Sequence, residues 1–265
     1  MRSASCLARA TANLMNSRSR ILLTVLVAVF GALAGCGSRS GSVGTAAILL
    51  FTGTGSSRGD VEAMETLLNA NNFDYTTADS VQLNRMGATD LQRYRLLIVP
   101  GGNFIDMGNS LTASTTANIR NAVKGGVNYL GICAGAFLAG DFPANYSRLN
   151  LTSGVQFRFY SASEKGIRKT PVVVTMADGH TFEHYWEDGP QLTGWGDVVG
   201  KYPDGTPAIV EGTFGSGFVI LTGVHTEAPE SWRHGMKFAT PASVDHAYAV
   251  TLIRAALERM PLVHY

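Results

Sequence analysis

Residues 127–139 read VNYLGICAGAFLA, and they carry the strongest fold signal in the chain. One apolar run ends just before Cys133, and a second apolar run of helical character begins just after it. Gly131 and Gly135 stand two residues to either side of the cysteine. A strand that passes through a Gly-x-Cys-x-Gly turn into a helix is typical of an α/β sheet with a reactive side chain at the carboxyl edge of its strands.

Short apolar runs alternate with segments of helical periodicity around this stretch. The expected strands are residues 46–51, 73–77, 96–99 and 127–132, and the expected helices are residues 60–70, 112–124, 134–139 and 241–260. Strands that alternate with helices form a parallel sheet with helices on both faces. We therefore predict an α/β fold of three layers with a mostly parallel sheet.

The second half of the chain has a different pattern. Residues 154–175 and 207–223 look like strands, and Asp-Gly pairs at 178, 188 and 204 are turn signals. Strands joined by such short turns pair antiparallel, so we expect antiparallel strands to be added to the sheet here.

Composition limits the function classes. The chain has 265 residues and a formal net charge of +1, but four arginines precede position 36, and without them 17 basic residues face 20 acidic ones. No basic stripe is present, so we predict no nucleic-acid partner. The length suits one domain, which we place at residues 46–265.

The N-terminal segment reads as a targeting signal. Residues 21–33 form an apolar run preceded by arginines and followed by small residues, which is typical of a secretory signal and shorter than the roughly 20 residues of a membrane span. The LAGC stretch that ends at Cys36 resembles the lipobox of bacterial lipoproteins. We predict a signal peptide over residues 1–35, a lipidated Cys36, a Gly/Ser tether over residues 36–45, and a cell-envelope location, anchored to the outer or cytoplasmic membrane with the domain outside the cytoplasm. An ordinary signal peptide or an anchor helix remains the alternative.

Cys133 is the candidate nucleophile. The other cysteines are Cys6, in the segment expected to be removed, and Cys36. A single thiol left over in an exported protein suggests reactivity, and the N–H groups of the following helix favour thiolate. A small buried hydrophobic residue is the alternative.

A base and an oxyanion hole are expected from two other strand ends. Residues 218–227 read FVILTGVHTE, so His225 ends an apolar strand and Glu227 can orient its imidazole. Glycine N–H groups at Gly102, after the strand at 96–99, can bind an oxyanion. The alternatives are a structural histidine that caps the strand and an ordinary Gly-rich turn.

A metal site is not expected. His180 and His184 lie four residues apart with Glu183 beside them, but this spacing needs a helix, and the segment reads as turn and strand. We predict neither a metal nor another cofactor.

These motifs together resemble the class I glutamine amidotransferase-like superfamily, and within it the domain at the N-terminus of some biotin–protein ligases. The similarity runs through most of residues 46–260 and includes FTGTG at 51–55, Gly189-Pro190 and DGTPA at 204–208. The resemblance implies a flavodoxin-like sheet, attack by Cys133 on an amide or ester carbonyl, proton transfer by His225 oriented by Glu227, and an oxyanion hole from the N–H groups of Gly102 and Ala134.

The chain departs from the superfamily pattern in two ways. Glutaminases often have His-Pro-Glu, whereas Thr226 stands here, although the spacing is kept. We recognise no synthetase, ATP-binding or biotin-binding segment, so we expect neither ammonia transfer nor biotin ligation. Two hypotheses stay open: a thiol hydrolase acting on an amide, peptide or ester, with a small molecule or peptide as substrate, or a non-catalytic protein that binds a ligand near Tyr185, Trp186 and Trp195.

Overall fold

The computed structural model describes residues 46–141 and 147–265. The predicted signal peptide, the predicted lipidation of Cys36 and the predicted tether lie outside the described residues. Within the described ranges, none of the helices combines the length and the apolar character needed to cross a bilayer.

The described chain alternates between strands and helices as far as α6 and is rich in strands thereafter. The helices are α1 (Arg58–Ala70), α2 (Ser80–Arg85), α3 (Ala88–Leu91), α4 (Phe104–Ser110), α5 (Ala113–Lys124), α6 (Ala134–Ala139), α7 (Ser161–Glu164) and α8 (Ala242–Glu258), with a 3₁₀ helix at Glu230–Arg233. The strands are β1 (Ile48–Phe51), β2 (Tyr75–Ala78), β3 (Leu96–Val99), β4 (Asn128–Ile132), β5 (Arg158–Phe159), β6 (Lys169–Met176), β7 (Thr181–Glu187), β8 (Pro190–Gln191), β9 (Asp197–Lys201), β10 (Pro207–Phe214) and β11 (Gly217–Thr222).

Nine strands form one sheet in the order β2-β1-β3-β4-β11-β10-β9-β6-β7. The first five strands of this order are parallel, which is the flavodoxin-like arrangement. The remaining four continue the sheet with antiparallel pairs, and β5 pairs with β8 apart from it. The predicted α/β fold, with a parallel sheet extended by antiparallel strands from the second half, is confirmed.

Helices cover both faces of the sheet because its central strands are apolar on both sides. In β1, Ile48 and Leu50 pack in the core beneath α1 and α8, whereas Leu49 and Phe51 pack in the core beneath α5 and α6. Successive side chains of a strand point to opposite faces, so an unbroken apolar run can serve both cores. This gives the three layers.

Helix starts differ from the prediction where a polar side chain caps the first turn. The Ser57 side chain accepts from the N–H of Asp60, so α1 begins at Arg58, two residues before the predicted start. Thr112 caps α5 in the same way and lies outside the helix. These caps satisfy N–H groups that have no partner within the helix.

The prediction of strands over residues 154–175 was correct only in part. β5 and nearly all of β6 are strands there, but α7 and turns lie between them. Tyr160 stacks on Tyr202 with ring centroids 3.9 Å apart and meets the edge of Trp186 at 5.7 Å. These aromatic contacts anchor the segment to the core in place of a strand ladder.

Candidate active site

Cys133 lies on the turn that carries the chain from β4 into α6. Its backbone has φ 48° and ψ −100°, a strained conformation that costs about 1–3 kcal/mol and persists only where its surroundings impose it. The Cys133 N–H donates to the Thr222 carbonyl of β11 at 2.8 Å, and the Cys133 carbonyl accepts from Ala136 and Phe137. These bonds hold the residue at the carboxyl end of the parallel strands, where its sulfur lies 3.5 Å from the carbonyl oxygen of Glu187.

Gly131 and Gly135 provide the space that this turn needs. A Cβ on Gly135 would lie 2.1 Å from the carbonyl oxygen of Val99 in β3, and a Cβ on Gly131 would lie 2.6 Å from the carbonyl oxygen of Gly135. Both distances are far inside van der Waals contact. The turn therefore packs against β3 only because no side chain stands at these two positions.

His225 follows β11 and faces two carboxylates. Its N–H donates to the Tyr185 carbonyl at 2.9 Å, which fixes the backbone at this position. Its Nδ1 lies 2.9 Å from Oε1 of Glu227 and 3.1 Å from Oδ1 of Asp60. All three side chains are buried. Nδ1 carries one hydrogen, so one carboxylate accepts it and the other acts through its charge.

Glu227 is the better hydrogen-bond acceptor of the two. Its Oε1 meets the geometric criteria for a hydrogen bond with Nδ1 of His225, whereas Oδ1 of Asp60 makes no hydrogen bond among the described residues. Asp60 comes from the first turn of α1, on another part of the sheet edge. The imidazole is thus held between a hydrogen-bonded carboxylate and a second charge.

The charges around His225 decide its protonation. Burial by itself would lower the pKa of His225, but the negative charges of Cys133, Glu227 and Asp60 outweigh burial and raise that pKa well above its usual value. Burial by itself would raise the pKa of Asp60, but its contacts with His225 and Ser57 hold that pKa below the usual range. The site therefore favours an imidazolium beside carboxylates at neutral pH.

The direction of the His225 shift sets how this interaction depends on pH. A histidine whose pKa is raised on folding contributes stability that is fully present below its unfolded value of about 6.5. That contribution is lost as the pH rises through the raised folded-state pKa of His225. The Asp60 carboxylate has a lowered pKa, so it contributes to folding stability at neutral pH. That contribution is lost as the pH falls through the lowered folded-state pKa of Asp60.

The two residues expected to form the oxyanion hole line the same cleft as Cys133. Gly102 has φ 141°, and a Cβ there would lie 2.1 Å from the carbonyl oxygen of Gly55, so only glycine fits. The adjacent Asn103 N–H donates to Gly55. None of the described hydrogen bonds uses the N–H of Gly102 or Ala134, which leaves both as donors for a ligand.

An open cleft of about 730 Å³ contains Cys133 and His225 in its lining. Clefts of this size hold small molecules or short peptides. Some of the charged lining side chains have partners within the cleft. Arg168 lies 2.7 Å from Asp188, and the Tyr185 hydroxyl donates to Glu187 at 2.5 Å.

The aromatic lining differs from the expected one. Tyr185 lines the cleft as predicted, but Trp186 is fully buried in the core, where its indole N–H donates to the Gly189 carbonyl. Trp195 packs over Gly212 and is not among the lining residues. Trp186 alternates with Tyr185 along β7 and so points to the opposite side. The tryptophan in the cleft is Trp232, from the 3₁₀ helix.

Metal-binding geometry occurs among the described residues at Asp60, His225 and Glu227, whose donor atoms lie within 4.8 Å of one another. The same Nδ1 and Oε1 atoms already share a hydrogen bond, so an ion here would have to replace the proton that orients the imidazole. The candidate ligand His184 is fully buried, and its Nδ1 lies 3.1 Å from Oδ1 of Asp245. His180 lies in a turn with an exposed side chain, apart from it. The absence of a metal stays a prediction.

Several cleft residues were not foreseen from the sequence. Asp60 could be interpreted only as an acidic residue in a first helical turn, which suits the helix dipole wherever it points. Trp232 lies in a segment without periodicity, and Phe159 lies in a segment mistaken for a long strand. No local pattern connects these three residues to Cys133.

The sheet order and the turn at Cys133 together define an α/β domain with a glutamine amidotransferase-like fold. The particular family follows from the sequence, because residues 46–262 match the family described as biotin–protein ligase, N-terminal. The chain therefore belongs to the biotin–protein ligase N-terminal domain family.

The curated relative that matches the chain shares little of its sequence. The biotin–protein ligase of Schizosaccharomyces pombe is 27% identical over 159 residues, which cover 50% of this chain and 25% of the ligase. The chain thus spans about a quarter of the length of that curated relative.

Solved structures with the same fold are also distant in sequence. A glutamine amidotransferase aligns with a TM-score of 0.54 at 18% identity, covering 71% of this chain and 96% of that one. The exo-β-1,4-mannosidase Op5Man5 from Opitutaceae bacterium strain TAV5 aligns with a TM-score of 0.51 at 13% identity, covering 78% of this chain and 36% of that one. At such identities the likeness shows the fold alone.

Proposed function

We propose that the chain is a cysteine-dependent hydrolase that cleaves an amide, peptide or ester bond. The observation that carries this proposal is the strained backbone of Cys133, at φ 48°, on a turn that lines one cleft together with a carboxylate-braced His225. Strain of this kind is kept at functional sites, because a buried residue with only a packing role would relax to a cheaper conformation.

The first chemical step is attack by the Cys133 sulfur on the substrate carbonyl. A C–S bond forms, and the carbonyl electron pair moves to oxygen, where the N–H groups of Gly102 and Ala134 stabilise the negative charge. The imidazolium of His225 then donates its proton to the leaving amine or alcohol as the carbon–heteroatom bond breaks. The product of this step is a thioester on Cys133.

The second step is hydrolysis of that thioester. His225, now neutral, takes a proton from water as the water oxygen attacks the carbonyl, and the proton passes to the departing sulfur. Glu227 and Asp60 are positioning residues in this scheme, because both act on Nδ1 and leave Nε2 for the proton transfers. The glutamine amidotransferase among the similar structures shares the fold of this chain, and this likeness of fold is the only support that it gives to the proposal.

The most direct test is the reactivity of Cys133. We expect the peptide that contains Cys133 in the full chain to be alkylated by iodoacetamide at pH 6 about 100-fold faster than glutathione, because a positively charged histidine beside a cysteine activates it as a nucleophile. Mass spectrometry of that peptide measures the rate, and Cys133→Ala is the matched control in which the label must vanish. A rate at or below that of glutathione would contradict the hydrolase and favour the non-catalytic binding protein.

We further propose that the chain is a lipoprotein of the cell envelope, so that its substrate lies outside the cytoplasm. The support is the sequence alone: the arginines, the apolar run at 21–33 and Cys36. In bacterial cells fed a radiolabelled fatty acid, the chain should acquire label and sediment with membranes, and Cys36→Ser should lose both properties. Retention of the label by Cys36→Ser would overturn the proposed anchor.

A further inference from the structure

Aromatic side chains occupy the cleft in two groups. The first group is Phe104 from α4, Phe137 from α6 and Phe159 from β5. The ring centroids of Phe104 and Phe137 lie 4.6 Å apart, and those of Phe137 and Phe159 lie 4.9 Å apart. All three residues line the cleft. Phe159 leaves 42% of its surface exposed, although it has two aromatic neighbours.

The second group is Trp232 and Tyr185, beside the imidazole of His225. Their ring centroids lie 5.5 Å apart, and that of Trp232 lies 5.8 Å from the imidazole. Trp232 reaches this place because Gly59 has no side chain: a Cβ on Gly59 would lie 3.0 Å from the indole. The nucleophile and the imidazole therefore share their cleft with aromatic side chains from five different elements of the fold.

Several charged groups of the lining already have partners within the protein. Arg168 and Asp188 pair with each other, and Glu187 accepts from Tyr185, whereas Lys169 and His234 line the cleft beside them. Asp60 faces His225. Polar groups that already have partners within the protein gain little from a ligand, whereas an exposed aromatic face gains by losing contact with water.

We infer that a substituent of the scissile amide or ester is aromatic or comparably large and apolar, and that it binds against the exposed ring of Phe159, which packs on Phe104 and on the buried Phe137. The inference rests on the proposed function, since it names the substrate class of the same site. A carbonyl held at the Cys133 sulfur places its substituent in this cleft, and an aromatic ring there can stack or meet the phenylalanine rings edge-on.

Two alkylating probes of different size test the inference in the full chain. Chloroacetamide and N-benzylchloroacetamide react alike: the thiolate attacks the methylene carbon, the C–S bond forms, and chloride leaves with the electron pair of the C–Cl bond. We expect the benzyl probe to label Cys133 about tenfold faster than chloroacetamide after both rates are divided by their rates with glutathione, because its ring binds before it reacts.

Phe159→Ser should bring this normalised ratio close to one, because it removes the most exposed ring of the first group. Val173→Ser is the matched control, since Val173 is 41% exposed and does not line the cleft, and it should keep the wild-type ratio. A wild-type ratio near one would overturn the aromatic substrate class. If Cys133 still reacts with chloroacetamide faster than glutathione does, that result would not contradict the proposed hydrolase.

A binding measurement separates the inference from the proposed function. If Cys133 reacts no faster than glutathione with either probe, the hydrolase is wrong, and the cleft is then tested by titrating Cys133→Ala with N-benzylacetamide in a calorimeter. Saturable binding that Phe159→Ser weakens about tenfold supports the aromatic site without catalysis. Absence of binding would overturn it.

Discussion

Replacing His225 with glutamine is expected to slow the alkylation of Cys133 by iodoacetamide about 100-fold at pH 6. An ordinary cysteine thiol is less than about 1% ionised at that pH, so its reactivity there depends on a nearby positive charge. His225 can supply that charge, because the negative groups around it outweigh burial and raise its pKa well above the usual value. Glutamine is polar and cannot carry that charge. The rate is measured on the peptide that contains Cys133.

His180→Gln is the control for this substitution, because the His180 side chain is exposed and lies in a turn. It should leave the rate unchanged. Asp60→Asn removes the negative charge of Asp60 beside Nδ1 of His225 while Glu227 still holds the hydrogen bond, so it should slow alkylation only about fivefold. Because the Asp60 charge raises the pKa of His225, the protonated imidazole should be lost at a lower pH than in the wild type. Equal rates for His225→Gln and the wild type would remove His225 from the proposed mechanism.

Replacing Gly135 with alanine is expected to lower the free energy of unfolding by about 3–5 kcal/mol, because the added methyl group overpacks the turn against backbone atoms. The new Cβ would lie 2.1 Å from the carbonyl oxygen of Val99, which belongs to the central strand β3 and cannot move aside cheaply. Relief would require α6 to shift away from the sheet, and Cys133 would shift with it. Urea unfolding followed by circular dichroism measures the loss.

Gly87→Ala provides the comparison, because the nearest atom to its added Cβ is a carboxylate oxygen of Asp90 at 3.7 Å. Because the half-buried Gly87 has room for a methyl group, this change should alter the free energy of unfolding by less than about 1 kcal/mol. If Gly135→Ala unfolded at the same urea concentration as Gly87→Ala, the close packing of the turn against β3 would be wrong. If Gly135→Ala folds but alkylates slowly, the turn positions the sulfur in addition to stabilising the fold.

The parallel half of the fold was predictable because its strands are buried on both faces. The run that contains β1 and the run that forms β3 are apolar without interruption, and a pattern of that kind can be detected locally. Helix starts were less accurate, since Ser57 and Thr112 act as caps through a single side-chain hydrogen bond. Such a bond leaves the apolar periodicity of the helix unchanged, so the periodicity cannot locate the first residue of the helix.

The segment around Tyr160 was beyond prediction for a different reason. Its structure depends on stacking against Tyr202, which lies some forty residues further along the chain. The local sequence has strand-like composition, and only the completed core offers the aromatic partner that holds the segment as a short helix and turns. Tertiary contacts of this kind override local propensity.

The amino-acid sequence by itself determined the buried parallel strands, the glycine-flanked turn at Cys133 and the pairing of His225 with Glu227, because each of these depends on residues within a few positions of one another. Only the tertiary structure decided that Asp60 shares the imidazole with Glu227 and that phenylalanines from α4, α6 and β5 meet beside the sulfur. Those residues come from separate segments, and they meet only because the parallel strands end at one edge and bring their following loops together.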